Sequence, residues 1–272
     1  SCNSRDKTTN VQIIQQSVAA DGLDLKAVGN LVTKASSAAE LEKKLNTKDN
    51  KINNLDLNED SKVDYIKVTE FKDANIYGFS LTTQLAEDEK EEQEIATIQI
   101  EKDVNDTVKV QTRGNENIYG NNHYHYRSGI STADILIWSY LLSNHRPYYS
   151  PWGWNRYPSH YSSHRPMSQD NYRNFHKSRP YASSMQASKT SAMSRPVQSP
   201  NYNKSATKIK APLKNPTTSQ RAFQKRNPSK TLSSGGFGRN KSAASSSRAS
   251  SRPSVRRSSS FGRSRSRFGG GK

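Results

Sequence analysis

The chain has 272 residues, with 42 Lys plus Arg against 24 Asp plus Glu and only 31% apolar residues, too few apolar side chains for one packed core from end to end. Charge is divided unevenly: residues 1–120 hold 15 basic and 22 acidic side chains (net −7), whereas residues 121–272 hold 27 basic ones and only Asp134 and Asp170 (net +25). No apolar run reaches the roughly 18–20 residues of a membrane-spanning helix, and a lone cysteine, Cys2, excludes a disulfide framework and any cysteine-based zinc or iron–sulfur site.

The chain opens on Ser1-Cys2-Asn3-Ser4. A small residue before a lone Cys, followed by a polar stretch, resembles the end of a bacterial lipobox. The resemblance implies that Cys2 carries the lipid and that Asn3 stands where Asp would have signalled inner-membrane retention. Residues 1–10 are then a lipid-proximal tether, and two or more acyl chains anchor stably at about 0.8 kcal/mol per buried CH₂.

Residues 11–120 read as a small α+β domain. Leu25, Val28, Leu31, Val32 and Ala35 fall at helical spacing behind Asp24, a suitable cap. Ser37 and Glu40 form a Ser-x-x-Glu capping box ahead of Leu41 and Leu45 and predict a second helix ending near Asn46, so the pair reads as a helical hairpin. From Val63 the period shifts to two: Val63–Glu70, Ile76–Thr83, Ile95–Glu101 and Val108–Thr112 are expected to form a four-stranded antiparallel meander. The acidic run Glu87, Asp88, Glu89, Glu91, Glu92 and Glu94 reads as a solvated loop, because neighbouring like charges repel.

Between the second helix and the first strand, Asp56-Leu57-Asn58-Glu59-Asp60-Ser61-Lys62-Val63-Asp64 places oxygen side chains at positions 1, 3, 5 and 9. Ca²⁺ takes six to eight oxygens, and position 7, here Lys62, contributes its backbone carbonyl. The expected ligands are Asp56, Asn58, Asp60, Lys62 and Asp64, with Val63 turned into the core. The stretch resembles EF-hand, dockerin and integrin-like calcium loops. It departs from the EF-hand at position 6, where Ser61 replaces Gly, and at position 12, where Lys67 replaces the bidentate Glu. The strand that follows favours the shorter integrin-like loop. Calcium would bind weakly, in the roughly 10⁻⁴–10⁻³ M class, and stabilise the domain. The competing reading is an Asx-rich turn that needs no ion.

Residues 121–182 are rich in Tyr, Trp, His and Pro and hold all six histidines. His123 with His125, and His160 with His164, have metal-ligand chemistry but no supporting frame, and the segment reads as an aromatic linker. Within it, residues 132–142 form a short apolar helix expected to dock on the folded domain. Residues beyond Ser143 carry only eight aliphatic side chains, too few to offset about 1–2 kcal/mol of ordering entropy per residue, so the tail, and residues 183–272 above all, is expected to be disordered. Its end alternates Arg, Ser and Gly with Phe. Arg256, Arg257, Arg263, Arg265 and Arg267 are the candidate polyanion contacts, neutralising phosphates while spaced rings stack at about 1–3 kcal/mol each.

In layout, the lone Cys2, the Asp56–Asp64 loop ahead of a meander and the basic tail resemble uncharacterised bacterial envelope lipoproteins. The resemblance implies a non-catalytic outer-membrane lipoprotein with a membrane partner through Cys2, polyanion partners (lipopolysaccharide, acidic glycan or nucleic acid) and no small-molecule substrate. The alternative is an intracellular nucleic-acid-binding protein, since the tail also resembles RS and RGG segments, although no recognised RNA module precedes it. No Ser-His-Asp frame or phosphate loop points to an enzyme.

Overall fold

The computed structural model describes residues 19–230, so Cys2 and the arginines from Arg256 to Arg267 lie outside the described residues. The architecture is α+β. Helices α1 (Leu25–Thr33) and α2 (Ala38–Asn46) precede strands β1 (Lys67–Asp73), β2 (Ile76–Gln84), β3 (Glu92–Lys102) and β4 (Thr107–Gly114). A one-turn helix α3 (Glu116–Tyr119), strand β5 (Tyr124–Ser131) and helix α4 (Leu136–Leu142) follow. Then come α5 (Gln169–Lys177), α6 (Tyr181–Ser184), the short strand β6 (Gln186–Ser188) and α7 (Thr218–Arg226). All six strands pair antiparallel in sequence order.

The helices start where their caps require. The Asp24 carboxylate accepts from Ala27 N at 2.8 Å and the Ser37 hydroxyl from Glu40 N at 3.2 Å. The box at α2 is skewed, because Glu40 accepts from Ser36 N and Oγ and not from the cap residue. Nor do the helices form a free-standing hairpin: α1 lies over β3, β4 and β5, and α2 over β1. Their buried Val28, Leu31, Val32, Leu41 and Leu45 meet Phe79, Leu81, Ile98, Ile100, Val108 and Val110 from the sheet. Helix α4 docks on the same core through Ile137, Trp138 and Leu141, leaving Leu136 and Leu142 exposed.

The turns follow their residues. Asn105 and Asp106, both at positive φ, close a two-residue turn between β3 and β4 with Thr107 N donating to Val104 O, a primed turn whose twist suits a hairpin. Gly78 is kept without a side chain for packing: a Cβ there would stand 2.1 Å from the Phe71 ring, which lies over it from the paired strand.

The sheet's second face is polar, and a register shift makes it so. On β3, Thr97, Gln99 and Glu101 share that face. Leu81 pairs with Ala96 while its neighbour Thr82 pairs with Glu94, so Ile95 is the extra residue of a bulge. Ile95 and Ala96 both enter the core. Past the bulge Glu94 and Glu92 emerge beside Ser80 and Thr82, to which they bond.

Three expectations are corrected. The sheet has six strands, not four: β5 and β6 come from the stretch read as linker and tail, and β1 begins at Lys67, not Val63. The acidic run is a solvated loop only through Glu89, since Glu91, Glu92 and Glu94 are buried at the start of the longest strand. Residues 143–230 are packed, with Tyr172, Met185, Met193, Val197, Ala206, Ile209 and Ala211 buried. The segment owns few aliphatic side chains, but the polar face and free strand edge of another region supply its hydrogen bonds.

Candidate functional site

The 56–64 loop forms where α2 has ended and β1 has not begun, and backbone amides shape it. Asp56 accepts from Asp60 N and Ser61 N at 3.0 Å each, Asn58 from Asp60 N at 3.1 Å, Asp60 from Lys62 N at 2.9 Å and Asp64 from Leu57 N at 2.7 Å. Glu59 and Ser61 sit at φ 55° and 69°. Ser61 thus adopts the left-handed conformation that Gly takes more readily, which reconciles the turn with the missing glycine. Val63 is buried, and the aromatic segment pins it: Val63 N donates to His164 O at 2.8 Å and Tyr161 Oη donates to Val63 O at 2.7 Å.

Electrostatics inside the loop are unfavourable to three anions. Burial, then the Asp60 carboxylate, push Asp56 up to about 6 against the pull of its backbone bonds. Asp64, buried and facing Asp56 and Asp60, is held well above the usual carboxylate range. An oxygen-only donor set under mutual repulsion has the chemistry that a hard divalent cation would relieve. In geometry the carboxylates are turned to backbone amides, and among the described residues no three His, Cys, Asp or Glu side chains converge as a metal cluster. The donors fit Ca²⁺ in kind, with lone pairs left after their amide bonds. Lys67, at the position of the missing Glu, is directed to the sheet, 3.0 Å from Glu92.

The second locus is the polar face of the sheet, covered by a strap of residues 189–210. Ala192 N donates to Gln111 at 2.6 Å, Ser194 N to Glu101 at 2.9 Å, and Gln99 Nε2 to Val197 O at 3.3 Å. Ser199 and Lys204 bond Glu94 and Glu92. Thr207 N and Lys208 N donate to Glu91 at 2.8 and 2.9 Å. Burial pushes Glu94 upward, and bonds from Ser199 and Ser80 only partly offset it. For Glu92 burial also acts upward, but bonds from Lys204, Thr82 and Lys67 prevail and hold it low. The fit is incomplete: Thr97 Oγ1, on this face, is buried without a partner.

The free edge of β1 is covered too. Glu70 N donates to Tyr148 O at 2.7 Å and Ser150 N to Val68 O at 3.0 Å, which blunts an otherwise open strand. Beside it Glu70 accepts from Tyr140 Oη at 2.8 Å and contacts His145 Nε2 at 2.9 Å. Of these carboxylates, Glu70 and Glu101 carry no site expectation from the sequence, and Glu91, Glu92 and Glu94 are expected there in a solvated loop; the local signal for Glu92 and Glu94 is their i, i+2 spacing ahead of the strand-like Ile95–Glu101.

The His123 and His125 rings meet at 5.3 Å between centroids, tilted by 60° to each other. Burial, then His123, lower His125 to about 4, so it is neutral at physiological pH. Comparison with protein-family models, curated proteins and solved structures finds no match to this chain.

Proposed function

We propose that the chain is a non-catalytic binding protein of the bacterial cell envelope, held at the outer membrane by a lipid on Cys2, with a calcium-stabilised body and a cationic end that engages polyanions. The observation that supports this reading is where the charge stands after folding. The buried carboxylates Glu70, Glu91, Glu92, Glu94 and Glu101 are already engaged by residues 140–208. Residues 231–272 carry ten Lys and Arg, among them Arg256, Arg257, Arg263, Arg265 and Arg267, and no Asp or Glu. Ten cations with no acidic residue in their own stretch are suited to phosphate or sulfate groups. Asp56, Asn58, Asp60, the Lys62 carbonyl and Asp64 would hold Ca²⁺, which would neutralise the loop and stiffen the entry to β1.

Binding to immobilised heparin and to lipopolysaccharide is expected to weaken steeply with salt and to be lost on deleting residues 233–272. Retention after that deletion overturns the polyanion reading. Mass spectrometry of membrane-extracted protein should find Cys2 acylated, and an unmodified Cys2 removes the tether. The Arg/Ser alternation from Phe261 to Phe268 favours an intracellular nucleic-acid binder as the second reading. Tight, salt-sensitive RNA binding by a protein with unmodified Cys2 would select it.

A further inference from the structure

At one end the strap stands off the sheet. Between β3, β4, the turn Asn115–Asn117 and strap residues Val197–Ser205 lies a cavity of about 210 Å³, with Tyr202 and Asn203 exposed at its rim. Its walls are polar, and their charges are already met. The Glu94 carboxylate is bound by Ser80 at 2.8 Å and by Ser199. Arg113 donates to Glu116 at 3.0 Å and stands 5.7 Å from the ring centroids of both Tyr124 and Tyr202. Asn117 Nδ2 donates to Ser205 Oγ at 2.8 Å, and the Asn115 amide oxygen accepts from Asn117 N at 3.0 Å. The strap and the β4–β5 connection are therefore fastened to each other around the opening, which is why it persists as a shaped site.

We propose that this cavity binds a single neutral sugar ring, a terminal unit or side branch of a larger saccharide. The volume equals the share of about seven waters, enough for one hydroxylated ring and short of a drug-sized ligand. An anion would face Glu94 and Glu116, while the one guanidinium present is already paired. A cation would displace the hydroxyl and guanidinium donors that Glu94 and Glu116 already accept, whereas a hydroxyl can add to those bonds through the lone pairs they leave free. An apolar ligand would strip amides and hydroxyls of water without return. A sugar offers hydroxyls that both donate and accept, matching Asn, Ser and Glu oxygens, and a C–H face that packs on the Tyr202 ring.

The test is saturation-transfer NMR on the full chain with free glucose, galactose, mannose and N-acetylglucosamine, at an ionic strength that screens the cationic end. At least one sugar is expected to receive saturation, with a Kd on the order of 1 mM for a single ring. Tyr202→Ala, which removes the stacking face at an exposed position, should weaken it about tenfold or more. Asn203→Trp, at the same rim, should block entry while leaving the melting temperature of the body unchanged. Transfer to none of the four sugars overturns the proposal. So does transfer that persists in both variants.

Discussion

Residues 19–120 and residues 121–230 are folded by different means. The first stretch carries 13 basic and 21 acidic side chains and supplies most of the apolar core; the second carries 17 basic and two acidic ones. The first stretch holds itself together by burying aliphatic side chains between two helices and a sheet, a force that needs only area. The second adds Ile130, Ile137, Trp138, Leu141 and Ile209 to that core but has less such area. Within it, residues 189–210 are held in large part by directed bonds to polar groups and carboxylates that the first has left on the sheet's outer face. A segment rich in Ser, Lys and Arg can be structured if another part of the chain presents acceptors at the right spacing. Within the described residues, Glu91, Glu92 and Glu94 of the acidic run are partnered by Ser199, Lys204, Thr207 and Lys208 of the segment expected to be disordered, while Glu87, Asp88 and Glu89 stay exposed.

That contrast is broken most severely from the apolar side. Phe79 is fully buried at the centre of the core, and Phe79→Ala should cost about 3–5 kcal/mol and unfold both stretches together. Urea denaturation followed by tyrosine fluorescence and by circular dichroism should give one coincident, shifted transition. A strap that stays protected from protease while the helices melt would mean that it has a core of its own.

The polar counterpart is Glu91→Ala, which removes the acceptor of two backbone amides and of the Thr207 hydroxyl. Hydrogen bonds to a charged group are worth about 1.5–3 kcal/mol, and the loss should be about that, expressed locally. Amide exchange should rise across residues 189–210 while α1 and β2 keep their protection. Uniform acceleration over the whole body would show that strap and core are a single cooperative unit.

Much of the first stretch is legible in the sequence, because its determinants are close in the chain. Asp24 and Ser37 cap within three residues, β2 and β4 alternate visibly, and Asn105-Asp106 marks its turn. The second stretch is not legible in this way. Its bonds join Ser194 to Glu101, Ser199 to Glu94 and Thr207 to Glu91, at separations of 93, 105 and 116 residues, where no local window reaches. Strand β5, Tyr-His-Tyr-Arg-Ser-Gly-Ile-Ser, has no apolar alternation and becomes a strand because β4 offers an edge. The 56–64 loop was legible in its spacing, whereas its clamp by Tyr161 and His164 was not. The bulge at Ile95, which decides which carboxylates face the strap, leaves no mark in composition.

The loop sharpens the comparison through pH. Asp56 is raised from its ordinary 3.8 to about 6, so the folded state binds the proton more tightly than the unfolded one. The penalty from its charge is absent below about pH 4 and grows as pH rises through about 6. In the absence of Ca²⁺ this group therefore makes the body less stable at pH 7.5 than at pH 5. Calcium, which needs the carboxylates ionised, should act in the opposite sense. With Ca²⁺ at about ten times a millimolar Kd, the gain at pH 7.5 should be about 1.4 kcal/mol, or about 3–6 °C in melting temperature for a body of this size. It should vanish at pH 5 and in Asp60→Asn with Asp64→Asn. Equal calcium shifts at both pH values would refute binding through this loop.

The smallest expected effect is also the sharpest probe of how the strap sits. Thr97 stands on the polar face between Ser80 and Arg113, its registered partners on β2 and β4, at the wall of the cavity under the strap, and its Oγ1 is buried without a hydrogen bond to the protein. A hydroxyl desolvated without a partner destabilises the fold, and Val has the same shape without the group to satisfy. Thr97→Val should therefore stabilise the body by about 1 kcal/mol, since strand propensity is kept by the β-branch. Were Thr97 bonded to the strap in solution, the same change would destabilise, and it would do so selectively in the exchange rates of residues 189–210. The sign of one measured difference thus separates a strap laid over the sheet with a polar mismatch beneath it from a strap matched to every group it covers.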